Sequence, residues 1–123
     1  MIANEITHLK QSDPNFPQLL KEVFSCPTGL YFQGNRDLFN QKNKIAIVGT
    51  RQASKTGQAI ARQLAKELSQ HNITIVSGLA LGIDRAAHEG CLQGVSQTIA
   101  ILGHGLDQIY PAENKELANQ IIT

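Results

Sequence analysis

The sequence predicts an α/β protein: a three-layer, Rossmann-like parallel sheet, truncated, with a short N-terminal helix and strand ahead of it. Three observations carry this. From Lys44 onward, three short apolar runs alternate with helical patterns. Each run ends in glycine and small polar residues, at Gly49–Thr50–Arg51, at Ser77–Gly78 through Gly82, and at Gly103–His104–Gly105. The segments between runs are long enough for crossover helices and too long for hairpins, which makes the strands parallel with right-handed connections.

Residues 1–13 are polar and carry little pattern. A short helix is expected next, with Asn15 as cap and Pro17 in its first turn. Phe16, Leu19, Leu20, Val23 and Phe24 would form its apolar stripe. Pro27 and Gly29 end it, and residues 30–33 read as a strand entering a Gly34–Asn35 turn. This strand contains L-Y-F-Q-G, close to the core of a common tag-cleavage site, but Thr28 replaces the glutamate such sites need. The segment is native. Residues 1–43 therefore form an N-terminal extension, and residues 44–123 a partial Rossmann-like domain.

Within that domain, residues 44–48 are suited to a strand covered on both faces. Ser54 caps a helix in which Ile60, Leu64 and Leu68 recur every fourth residue beside Ala61 and Ala65. Gly57 costs this helix roughly 1 kcal/mol relative to Ala, which makes sense if the helix approaches the sheet closely. Asn72 closes it. Residues 73–76 are a second strand, 83–92 a second helix stopped by Gly94, and 98–102 a third strand. Pro111 opens a last helix carrying Leu117, Ile121 and Ile122.

At 123 residues there is room for one domain with a modest core. The net charge of +1 gives no global basic signature, so a polyanion would have to be held by a local site. Cys26 and Cys91 follow no metal spacing and read as two reduced, buried thiols. No signal pattern and no membrane-length apolar run is present, so a cytoplasmic protein with no membrane partner is expected.

The strand-to-helix junctions are where α/β proteins bind anions, because helix N-terminal N–H groups and the macrodipole point there. Residues 49–56, G-T-R-Q-A-S-K-T, approach the P-loop pattern, yet Ser54 stands where the second glycine belongs. No G-x-G-x-x-G is present either, and no cofactor is expected. Arg51 and Lys55 remain at the exit of the first strand, and an arginine fork suits a phosphate. The alternative is a solvated loop arginine.

In V-S-G-L-A-L-G-I-D-R-A-A-H, residues 76–88, Ser77, Gly78 and Gly82 allow a tight loop with exposed N–H groups. Asp84 reads as the cap of the following helix, Arg85 as pointing to solvent, and His88 as a hydrogen-bond partner of Asp84 one turn away. No metal site is expected from so few ligands. His104 sits between two glycines that permit close backbone approach, while His8 and His71 read as surface residues. No nucleophile–base arrangement or paired carboxylates emerge, so no catalytic residue is assigned.

The combination V-G-T-R…S…G, then I-V-S-G-L-A-L-G-I-D-R-A-A-H-E-G, then T-I-A-I-L-G-H-G-L-D-Q-I-Y-P-A-E-N resembles the bacterial DNA-processing protein A family (DprA/Smf). The match runs from about Lys44 to Thr123, and L-Y-F-Q-G-N is similar to that family's strand before the sheet. The resemblance implies non-catalytic binding and protection of single-stranded DNA, with loading of a RecA-type recombinase during natural transformation (competence). It places Gly49, Thr50, Arg51, Ser54, Lys55, Ser77, Gly78, Gly82, Gly103, His104 and Gly105 around DNA phosphates. Family members run well beyond this length, and the self-association surface that gives a homodimer lies in that further part. Relatives often carry a basic residue just after the Tyr-Pro pair, where this chain has Ala112. The alternative is a Rossmann-like nucleotide-binding or nucleotide-processing enzyme.

Overall fold

The computed structural model describes residues 5–123. Two small sheets are present. Strands β1 (Thr7–Lys10) and β2 (Gly29–Phe32) pair antiparallel, with His8 opposite Tyr31. Strands β3 (Lys44–Ala46), β4 (Thr74–Ser77) and β5 (Thr98–Ala100) form a parallel sheet in that spatial order. Helix α1 (Lys55–Gln70) joins β3 to β4, α2 (Ile83–Leu92) joins β4 to β5, and α3 (Lys115–Ile122) follows β5. Three parallel strands in sequential order with right-handed crossovers carry their connecting helices on one face, and α1 and α2 pack directly against each other.

Strand β1 lies in a segment whose sequence shows little pattern, and only Leu9 of its four residues is buried. One apolar residue in four gives no detectable alternation. Leu9 joins Phe16 and Phe32 in a small core of its own, with Leu20, Leu30 and Phe39 packed against it. The expected helix after Asn15 is a single 3-10 turn, Leu19–Glu22. Phe16 is fully buried, but Leu19, Val23 and Phe24 are exposed. Asn15 does not cap the turn. Its own N–H is held by the Asp13 carboxylate at 2.9 Å. With only Phe16 and Leu20 packed on the small core, so short a segment does not repay helix nucleation.

The second core joins Ala65 of α1, Ile75 of β4, and Ala87 and Cys91 of α2. The buried face of α1 is Ala61, Ala65 and Ser69, whereas Ile60 is 63% and Leu64 46% exposed. Small residues win this face because the two helices nearly touch: a Cβ at Gly90 would lie 2.1 Å from the Arg62 carbonyl oxygen. The close approach expected at Gly57 therefore occurs at Gly90, while the Gly57 N–H donates to the Ser54 cap at 3.0 Å. Ser69 fastens the pair, donating to Cys91 O at 2.7 Å and accepting from Ser96 N at 2.9 Å. Strand β3 is not covered on both faces: Ile45, and Val48 just past its end, are exposed, and among the described residues nothing pairs with its outer edge. Both cysteines are free, with Cys91 buried and Cys26 half-buried.

His88 is buried on α2 and pairs with Thr98 of β5 at 2.8 Å, not with Asp84. Thr98 spends its hydroxyl proton on Ile75 O at 2.7 Å. It must therefore accept from His88 Nδ1–H, which leaves Nε2 as a bare acceptor, buried without a partner. Burial pushes the His88 pKa down from 6.5 to about 4, against the opposing pull of Asp84. A lowered folded pKa means that the unfolded chain binds the proton more tightly. Stability is thus complete above pH 6.5, falls as pH drops toward about 4, and levels off below. We expect urea unfolding to show about 2 kcal/mol less stability at about pH 5 than at about pH 7.5. His88→Leu should flatten that slope, and an unchanged slope would place its origin elsewhere.

Candidate nucleic-acid interface

Parallel order puts the loops after β3, β4 and β5 on one edge of the sheet, where ligands of open α/β sheets bind. The first two loops interlock. A Cβ at Gly82 would lie 2.3 Å from Thr50 O, and Gly82 has φ of +81°, so glycine is required twice over. Ile83 N donates to Thr50 O at 3.2 Å, so part of the α2 N-terminus is capped by the neighbouring loop. The third loop adjoins the second, with Ile101 N donating to Ser77 O at 2.8 Å.

Asp84 is not the side-chain cap of α2, whose N-cap residue is Gly82. It lies inside the first turn and reaches back across the edge. One carboxylate oxygen accepts from Gly49 N at 3.3 Å, the other from Gly78 N at 3.2 Å. The carboxylate therefore occupies two of the backbone donors that the glycine pattern offers to an anion. Ser77 is likewise committed, its buried hydroxyl donating to Ile47 O at 2.6 Å.

The β4–α2 loop is held from its other side as well. Leu79 sits at φ of +59°, a strained conformation for a branched residue, and is 1% exposed. Its carbonyl accepts from Asn114 Nδ2 at 2.8 Å. Arg85, expected in solvent, donates to Asn114 Oδ1 at 2.9 Å and to Glu113 O at 3.2 Å. Glu89 then pairs with Arg85 at 3.6 Å and with Arg62 of α1 at 3.1 Å. Sequence reasoning missed Asn114, whose burial at the start of the last helix is set by tertiary placement.

Residues left on the open edge belong mainly to the first loop. Thr50, Arg51, Ser54 and Lys55 are exposed. Thr50 Oγ1 accepts from Gln52 N at 3.1 Å and Ser54 Oγ from Gly57 N, so these hydroxyls shape the loop. Arg51 and Lys55 have no ion-pair or hydrogen-bond partner among the described residues. The first turn of α1 contains no acidic residue, and Lys55 opens it against the dipole preference. Gly103, His104 and Gly105 are exposed at the third loop. A Cβ at Gly103 would meet nothing within 4 Å, while the His104 ring is hydrogen-bonded within its own loop to Gly105 O at 2.8 Å. A cavity of about 550 Å³ lies beside the third loop, between β2, β5 and α3, and its lining is mostly apolar.

A parallel α/β edge with interlocked loops and unpaired cations defines a Rossmann-like module suited to a polyanion. Residues 7–123 match the family model of DNA recombination-mediator protein A. The chain is 44% identical over 116 residues to protein Smf of Synechocystis sp., covering 92% of this chain and 29% of that protein. With DNA processing protein DprA of Streptococcus pneumoniae it shares 42% over 109 residues, 89% of this chain and 38% of the relative. The X-ray structure of DprA from S. pneumoniae superposes with a TM-score of 0.87 at 38% identity, over 98% of this chain and 42% of that one. DNA processing protein A from Helicobacter pylori, described with a single-stranded DNA binding mode, superposes at 0.85 and 31% identity, over 99% and 54%. The chain belongs to the DprA/Smf family of DNA-processing, recombination-mediator proteins, and it spans about a third of the length of these curated relatives. No helix among the described residues is long and apolar enough to cross a membrane.

Removing the Asp84 carboxylate takes the acceptor from two part-buried N–H groups at once. We expect Asp84→Ala to cost about 2 kcal/mol in urea unfolding, with faster amide exchange at Gly49 and Gly78. Unchanged exchange at both amides would show that the carboxylate does not hold them.

Proposed function

We propose that this chain supplies the phosphate-tracking edge of a non-catalytic, single-stranded-DNA-binding protein, which protects DNA in the cytoplasm and loads a RecA-type recombinase during natural transformation. The observation that carries the reading is the pair Arg51 and Lys55, two exposed cations without internal partners at the strand-exit edge of a DprA/Smf-family fold. Around them Gly49, Thr50 and Ser54 set the first loop, Ser77, Gly78 and Gly82 hold the second against it, and Gly103, His104 and Gly105 form the far wall. Recombinase loading and a homodimer rest on family membership and belong to the longer protein. The relative from H. pylori with a single-stranded DNA binding mode supports the choice of ligand.

A nucleotide-processing enzyme would need an acid–base pair on the same edge. Asp84 is committed to Gly49 and Gly78, and His88 is buried against Thr98 and takes up a second proton only at about pH 4 and below. Neither group faces a ligand as a proton carrier, which favours binding over catalysis.

Titration with single- and double-stranded oligonucleotides at two salt concentrations tests the reading. The single strand should bind more tightly, with affinity falling as salt rises. Arg51→Ala should weaken single-strand binding about tenfold and reduce the log–log salt slope by about 0.7, the loss of one phosphate contact. A preference for duplex, or an Arg51→Ala slope equal to that of the parent, would count against it.

A further inference from the structure

The N-terminal hairpin carries an exposed aromatic pair that the phosphate-tracking edge does not use. His8 and Tyr31 stand opposite each other on β1 and β2, their ring centroids 4.6 Å apart and their planes tilted by 37°. Gly29 makes the room: a Cβ there would lie 2.5 Å from His8 Nε2, so a side chain would push the imidazole off its seat. Tyr31 is 68% exposed, although the opposite face of the same hairpin buries Leu9 and Phe32. Lys10, two residues beyond His8 and therefore on the same face, is exposed beside the pair. Tyr31 also lines the same cleft as His104 and Gly105 of the third strand-exit loop. Through Tyr31, the aromatic pair thus adjoins the third loop of the strand-exit edge.

We propose that His8 and Tyr31 form a base-stacking subsite that takes an unpaired base of the single strand, with Lys10 beside its phosphate. This rests on the single-stranded-DNA reading and extends the contact from the sugar–phosphate chain to the bases. Single-strand binders combine a local cationic track with aromatic faces, because every base has a π-face and duplex bases are unavailable to stack. An outward tyrosine flanked by a second ring and a lysine, at the mouth of a cleft shared with the third loop, supplies that combination. The L-Y-F-Q-G segment acquires a role in this way: Leu30 and Phe32 anchor the hairpin core, and Tyr31 faces the ligand.

The chain has two tyrosines and no tryptophan, so Tyr110→Phe leaves Tyr31 as the reporting fluorophore. In that background, an oligothymidylate should quench tyrosine emission, and an abasic oligomer of the same length should bind without quenching. Tyr31→Ala should weaken oligothymidylate binding about tenfold and leave abasic binding unchanged, with Tyr31→Phe close to the parent. Gly29→Ala, which displaces His8, should lower affinity in the same base-dependent sense. Binding of both oligomers that responds to Arg51→Ala but shows neither quenching nor a Tyr31 effect would overturn the subsite and leave the phosphate edge intact. Absence of binding to either oligomer would overturn both.

Discussion

A single carboxylate organises the strand-exit edge. Asp84 projects from the first turn of α2 and accepts from the backbone of the β3–α1 loop and of the β4–α2 loop at once. Charge-assisted hydrogen bonds of this kind are stronger than neutral ones, and here one side chain fixes two loops relative to a helix. Gly82 and Gly78 follow from that tie. Gly82 lets the helix start press against the Thr50–Arg51 backbone. At Gly78, a Cβ would fall 2.7 Å from the Asp84 carboxylate. The glycines that give the sequence its phosphate-loop appearance therefore serve close packing within the chain.

This bears on how the proposed phosphate contact is made at the edge. An anion-binding nest works through free N–H groups, and two of the N–H groups in question are already neutralised by Asp84. The positive charge has to come from side chains, and Arg51 and Lys55 are the cations on the exposed first loop. Their placement breaks a local rule, since a lysine opens α1 where a carboxylate would be favoured. The Asn114–Arg85–Glu89–Arg62 chain stiffens the neighbouring loop from behind, where the left-handed Leu79 needs support.

The alternation of strands and helices after Lys44 was legible because each apolar run is continuous and each crossover has its own punctuation. Asn72, at φ of +61°, ends α1 where the sequence places its stop. What failed was the assignment of faces. Ile60 and Leu64 form the more obvious stripe, yet α1 buries alanine and serine because Gly90 brings α2 too close for larger side chains. Residues 16–24 look amphipathic, yet only Phe16 and Leu20 reach the small N-terminal core, too few contacts to hold a helix. At the site, the residue types were legible and their partners were not. Asp84 contacts residues 35 and 6 positions away, and Asn114 reaches Leu79 across 35. Such ties depend on tertiary placement, which no local pattern encodes.

Amide chemical-shift mapping of the chain with an oligothymidylate addresses the central claim most directly. The expected result is a set of shifts centred on Thr50–Lys55 and Gly103–Gly105, with the Gly49 and Gly78 amides still protected from exchange by Asp84. Loss of that protection on binding, with shifts centred on Gly78 and the α2 N-terminus, would mean that DNA phosphate displaces the carboxylate. The glycine loop itself would then be the anion site, contrary to this account.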